Sequence, residues 1–194
     1  MNRRIGLAGA CALAALALMG CCAKVSDWEI VGECEIPSQV KSHFAGFLDE
    51  SYFVSVGYGG GISISEDGGK SWEKAENKSL CRYCLDIVDR DLAWCGGNGS
   101  NVRVTKDGGR TWQAVTDCRL ASTHMSIDFI DATTGWLATT KRLLVTDDGG
   151  ETWNEIKTPG GMDNIATLAI RSADGGYLLT RSGKLFVTAD RGAS

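Results

Sequence analysis

One octapeptide, present in three close copies, constrains this chain more than anything else in it: Ser65-Glu-Asp-Gly-Gly-Lys-Ser-Trp72, Thr105-Lys-Asp-Gly-Gly-Arg-Thr-Trp112 and Thr146-Asp-Asp-Gly-Gly-Glu-Thr-Trp153. A fourth, Thr188-Ala-Asp-Arg-Gly-Ala-Ser194, matches up to the residue before the tryptophan position. The copies begin 40, 41 and 42 residues apart. A fixed period of this length marks a supersecondary unit that cannot bury its apolar face alone and must stack on its neighbours. About forty residues is enough for one four-stranded sheet with its turns.

The segments around each octapeptide repeat as well. Short apolar or alternating runs precede it at 61–65, 101–105, 142–146 and 184–188, as expected of a third strand. Hairpin-like pairs lie upstream: 44–48 before 52–56, 85–88 before 92–95, 125–130 before 135–139, and 167–170 before 177–180. Tryptophan opens a short outer strand at 72–75, 112–115 and 153–156. With 25 glycines and only two prolines, the composition suits many short strands joined by tight turns.

Within the octapeptide the chemistry is local. An Asp in a tight turn accepts hydrogen bonds from backbone N–H groups further along, and a nearby Ser or Thr hydroxyl helps satisfy the rest. Glycines supply backbone angles that other residues resist, and the tryptophan buries a large ring between sheets. The expected structural set is therefore Ser65, Asp67, Gly69 and Trp72; Thr105, Asp107, Gly109 and Trp112; Thr146, Asp148, Gly150 and Trp153; and Thr188 with Asp190.

These boxes, with the segment Ile127-Asp-Phe-Ile-Asp-Ala-Thr-Thr-Gly-Trp136 ahead of the third copy, resemble the Asp-box propellers, also called bacterial neuraminidase repeats. The likeness is greatest to photosystem II stability and assembly factor-like proteins, with sialidases more distant. The resemblance implies an all-β fold, a β-propeller of about four four-stranded blades with Asp-box turns over residues 28–194. It further implies a non-catalytic binding or scaffolding role with a protein partner. The alternative is a sialidase-like glycoside hydrolase or a glycan-binding derivative. Sialidases mark their first substrate-binding arginine with Arg-Ile-Pro, where this chain has Glu35-Ile36-Pro37; a carboxylate there would repel a sugar acid.

Residues 1–20 read as an export leader rather than structure: Arg3 and Arg4, then an apolar run too short to span a bilayer comfortably. The run ends Leu18-Met19-Gly20-Cys21, which resembles a bacterial lipobox and makes Cys21 the expected lipidation site. Residues 21–27 would then be a tether. The expected address is the cell envelope, anchored to a membrane by lipid and facing periplasm or exterior. The outer membrane is preferred because Cys22 rather than Asp follows Cys21. Of the 20 Lys and Arg residues two fall in the leader, so 18 face 24 Asp and Glu in the remainder, and no nucleic-acid partner is expected.

Trp28-Glu-Ile-Val31 matches the outer-strand pattern and is expected to complete the last blade by strand exchange. A small closed ring, self-association into a larger ring, and an incomplete arc remain open, the arc being preferred. Cys34, Cys81, Cys84, Cys95 and Cys118 are candidate disulfide cysteines in an exported chain. Cys84 and Cys95 flank the turn at 89–91 and would face each other across a hairpin; Cys81 would pair with Cys34 or Cys118. Zinc held by Cys81-x-x-Cys84 with Cys95 and Cys118 is the alternative, and no cofactor or metal is expected. His43, Arg119, His124 and Arg142 fall on loops or strand starts at one end of the blades and form the candidate binding face.

Overall fold

The computed structural model describes residues 43–57, 61–76, 81–97, 102–115, 124–157 and 164–192. Among these are fifteen strands and no helix. β1 (His43–Phe47), β2 (Phe53–Gly57), β3 (Ile62–Ser65) and β4 (Glu73–Lys74) form the first antiparallel sheet in chain order. β5 (Cys81–Ile87), β6 (Ala93–Gly97), β7 (Val102–Thr105) and β8 (Gln113–Ala114) form the second. β9 (His124–Phe129), β10 (Gly135–Thr139), β11 (Leu143–Thr146) and β12 (Asn154–Ile156) form the third. The fourth has three strands among the described residues: β13 (Ile165–Ile170), β14 (Gly176–Thr180) and β15 (Leu185–Thr188).

The register repeats from sheet to sheet. Phe53 faces Ser65, Ala93 faces Thr105, Gly135 faces Thr146 and Gly176 faces Thr188, so each box begins at the same height on its sheet. The sheets stack face to face in chain order, with β1 against β5, β5 against β9 and β9 against β13. First strands thus run side by side along one edge of the stack. Packing of the four sheets is that of an open arc.

Burial follows from that stacking. β6 and β10 are buried at all five positions, because each lies between two other sheets and needs apolar groups on both faces. Ala93 and Cys95 point into the core shared with the first sheet, whereas Trp94 points into the core shared with the third. The Trp94 ring stacks on Phe129 with centroids 3.8 Å apart, and its Nε1 donates to the Gly149 carbonyl at 3.1 Å. Such an aromatic pair contributes about 0.5–1.5 kcal/mol beyond the area it buries. β14 behaves differently: Gly176, Leu178 and Thr180 are buried, while Tyr177 and Leu179 are exposed. The fourth sheet therefore packs on the third through one face and shows the other to solvent.

Candidate functional site

Each box is built around one hydroxyl. In the second, Thr105 Oγ1 donates to Asp107 Oδ1 at 2.8 Å and accepts the Gly109 N–H at 2.8 Å. Asp107 in turn accepts the Thr111 amide at 2.8 Å and the Thr111 hydroxyl. Ser65, Asp67, Gly69 and Ser71 repeat the pattern in the first box, and Thr146, Asp148, Gly150 and Thr152 in the third. In the fourth, Thr188 donates to Asp190 at 2.8 Å and accepts from Gly192 at 2.7 Å. A carboxylate fed by several donors is stabilised in its charged form. The Ser71 hydroxyl and amide accordingly pull Asp67 down to about 2. At Asp148 slight burial pushes upward but is outweighed by the Thr152 hydroxyl and amide, leaving it at about 2. These acids serve the turn itself.

The tryptophans of the second and third boxes pack backwards onto the preceding sheet. Trp112 is only 1% exposed and belongs to the core of the first and second sheets, and its Nε1 donates to the Gly109 carbonyl at 2.8 Å. Trp153 packs against the core of the second and third sheets, edge-on to Phe129 with centroids 6.0 Å apart. Trp72 is half-buried and donates to Gly69 O at 3.0 Å. Close approach explains the second box glycine: a Cβ on Gly109 would stand 3.1 Å from Ile64 of the preceding sheet. The fourth box departs from the others by placing Arg191 where they carry their first glycine, and Arg191 adopts φ 61°.

Two sets of residues that sequence reasoning passed over tie neighbouring blades together and cap the turns within them. Asp86 Oδ2 accepts the Phe129 N–H at 2.7 Å, and Asp128 Oδ2 accepts the Ile170 N–H at 2.8 Å. Each carboxylate on a first strand thus bonds the backbone of the next first strand. Asp49, Asp89 and Asp131 cap the turns between first and second strands, accepting amides two and three residues on. Those turns receive the boxes: Gly68, Gly108, Gly149 and Arg191 donate to the carbonyls of Ser51, Asp91, Thr133 and Asp174. Ion pairs between successive turns, Arg90 with Asp49 and Arg110 with Glu66, add contacts at the same end. The repeated pair Asp86-Ile-Val-Asp89 and Asp128-Phe-Ile-Asp131 was the available signal.

The opposite end carries the candidate binding face. His43 opens β1 and His124 opens β9, at equivalent positions. Arg142 closes the β10–β11 hairpin, where its carbonyl accepts the Thr139 N–H at 2.8 Å and its guanidinium pairs with Glu155 at 2.6 Å. His43, His124 and Arg142 therefore share one end of the blades; Arg119 lies outside the described residues. Exposed Lys141 sits beside Arg142, and the equivalent β14–β15 hairpin carries exposed Arg181 and Lys184.

The cysteine expectation needs correction. Cys84 and Cys95 are not bridged: Cys84 is a free, buried thiol that burial pushes up to about 12, whereas Cys95 is in a disulfide. The β5–β6 ladder is regular from Cys84 to Ile87 and sets Cys84 opposite Gly96 and Cys95 opposite Leu85, so the two cysteines are one position out of register. Because successive side chains on a strand take opposite faces, Cys84 enters the core toward the third sheet and Cys95 the core toward the first. A disulfide-bonded Cys95 also removes the tetrathiolate zinc alternative, and the described residues contain no cluster of three potential metal ligands. Cys21, Cys34 and Cys118 lie outside the described residues, and so does Trp28 with the strand it opens.

Four-stranded antiparallel sheets, stacked by their faces with first strands along a common edge, define the protein as a set of β-propeller blades. The BNR/Asp-box repeat model matches residues 144–155, which take in the third box and most of the outer strand after it. No curated protein matches the sequence. Among solved structures the fold is similar to YCF48 from Cyanidioschyzon merolae, at TM-score 0.62 and 14% identity over 76% of this chain and 50% of that one. It is also similar to YCF48 bound to D1 peptide, at TM-score 0.53 and 21% identity over 62% and 40%. A third likeness is to the GH74 xyloglucanase from Xanthomonas campestris, at TM-score 0.60 and 18% identity over 86% and 26%. The chain spans half or less of each of these proteins, and identities this low establish the fold and not an activity.

Proposed function

We propose that this chain is an exported lipoprotein, held at the cell envelope by acyl chains on Cys21 with the outer membrane preferred, whose blades bind a protein partner and do not turn it over. One observation carries the reading: the two ends of the blades are chemically unlike. At the box end, carboxylates are saturated by hydrogen bonds within their own turns and by arginines of the next turn. At the other end, the third and fourth blades present exposed Lys141 and Arg181 on adjacent hairpins, next to an Arg142 that pairs with Glu155. Exposed cations steer and orient a partner of the opposite sign, so the partner segment carries Asp and Glu. YCF48, whose fold is similar, has been solved with a bound peptide, and an extended segment is the analogous occupant here.

The test uses the full chain in mild detergent. A stoichiometric protein partner is expected to remain bound, and K141E/R181E should lower its retention at least tenfold at low salt, whereas K106E at the box end should leave it unchanged. Equal loss in both variants, or no retained partner at all, would remove the assigned face. Hydrolysis of a fluorogenic sialoside by the wild-type chain would replace this reading with the glycosidase one.

A further inference from the structure

The exposed cations Lys141 and Arg181 sit on hairpins that the fold ties to one another. Within each hairpin, a threonine at the end of the second strand fixes the turn. Thr139 Oγ1 accepts the Lys141 N–H at 3.3 Å and the Arg142 N–H at 2.9 Å, and Thr180 Oγ1 accepts the Lys184 N–H at 3.2 Å. Between the hairpins, two consecutive residues form a bridge. Ile165 donates its N–H to the Thr140 carbonyl at 3.3 Å, and the Asn164 carbonyl accepts the Arg181 N–H at 2.8 Å. The backbone beside each cation is therefore held in a fixed relation to the other.

A β-bulge sets up that bridge. Ile165 faces Thr180 and Thr167 faces Leu179, so Ala166 is an extra residue in β13. Side chains three apart on a regular strand take opposite faces, yet Ile165 and Leu168 are both buried in the core between the third and fourth sheets. The same break in register occurs at the equivalent height in the second and third sheets, and the first sheet lacks it. Bulges are over-represented at rims and beside active sites, where they re-aim the strand. All three lie at the end of the blades that carries the exposed cations.

We infer, on the reading that this end binds an acidic segment, that the segment is an extended, polyproline-like stretch presenting two carboxylates three residues apart, one to Lys141 and one to Arg181. Equivalent points on sheets packed face to face lie about 10 Å apart. A polyproline II helix has three residues per turn and rises about 3.1 Å per residue, so residues i and i+3 share one side about 9.3 Å apart. A β-strand places its same-side residues about 7 Å or about 13 Å apart, short of the gap or beyond it. An α-helix returns to the same face at i+7, about 10.5 Å on, but helices that short are marginal in water. The third blade shows the contact within the chain itself, since Glu155 reaches the Arg142 guanidinium at 2.6 Å. Hairpins already fixed by the bridge reduce the ordering cost of binding, and a stiff segment reduces it on the partner's side.

The probes are proline-rich peptides of equal length and charge, which hold the polyproline conformation, each with two glutamates spaced i,i+2, i,i+3 or i,i+4. A helix-forming alanine-based peptide with glutamates at i,i+7 completes the set. Each is titrated into the isotope-labelled full chain in mild detergent at low salt, and binding is read from backbone amide shifts in NMR. The i,i+3 peptide should bind at least threefold more tightly than the others, with shifts centred on residues 140–142 and 180–184. K141A and R181A should each erase that preference, whereas K106E should leave it in place. Equal affinity at every spacing, a preference for the helical peptide, or a preference that survives K141A would each overturn the inference. So would no binding by any peptide while a retained protein partner is still released by K141E/R181E, a result that leaves the proposed function standing.

Discussion

The repeat offers an internal control for one hydrogen bond, because Trp→Phe trims the same atoms at three equivalent sites. At Trp112 the change also removes the Nε1–H that the buried Gly109 carbonyl accepts at 2.8 Å. At Trp72 it removes a similar bond to Gly69, 3.0 Å long and only partly buried. Trp153 differs: its Nε1 is buried with no partner among the described residues, so phenylalanine there relieves an unmet donor. A net hydrogen bond contributes about 0.5–1.5 kcal/mol, and an unsatisfied buried polar group costs about 1–3 kcal/mol. Loss at one site and relief at the other should separate W112F from W153F by about 2 kcal/mol, with W72F between them. At roughly 2–4 °C per kcal/mol for a domain of this size, W112F should melt about 4–8 °C below W153F by calorimetry. A W153F variant that melts at or below W112F would refute the argument.

Three further outcomes follow from the contacts between and within blades. D86A should lower stability by about 1–3 kcal/mol, since it strands the Phe129 amide that Asp86 accepts, while D86N keeps an acceptor oxygen and should cost less; identical urea midpoints for the two would count against the inter-blade bond. The box acids have folded-state values lowered to about 2 at Asp67 and Asp148, below the unfolded value of about 3.9. Their contribution is thus complete above pH ~4 and is lost as pH falls from ~4 toward ~2; melting temperature should drop across that window, and D67N/D148N should flatten the drop. R191G and R191A both lose the Asp147 pair and the contact over Trp136, but only glycine relieves the strain of a side chain at φ 61°, about 1 kcal/mol, so R191A should melt below wild type and R191G above R191A.

Legibility in the sequence tracked how local each signal was. Third strands were expected at 61–65, 101–105, 142–146 and 184–188 and occur within one residue of those bounds, because the box that ends each strand is a short-range signal. The hydroxyl–Asp–Gly hub follows from the octapeptide alone for the same reason. Cys84 and Cys95 misled because their distances from the turn differ by one residue, and with a side-chain period of two that single step sends the two sulfurs to opposite faces. Asp86 and Asp128 read as ordinary polar positions in an alternating strand. Their partners, Phe129 and Ile170, are 43 and 42 residues away, a separation that only the stacked sheets reveal. Lys141 and Arg181 were likewise invisible as neighbours until the hairpins that carry them were set side by side.

The bond from Asp86 to Phe129 spans 43 residues and that from Asp128 to Ile170 spans 42, in each case about one repeat period. A stretch of about forty residues copied in tandem would arrive with its own latch, already positioned to grip whichever blade comes next. Growth of such a chain by duplication needs no new interface to be invented. The latch is not in every blade: in the first, Gly46 stands where the second and third have that aspartate, its backbone close against Ile87, and the seam there rests on side-chain fit.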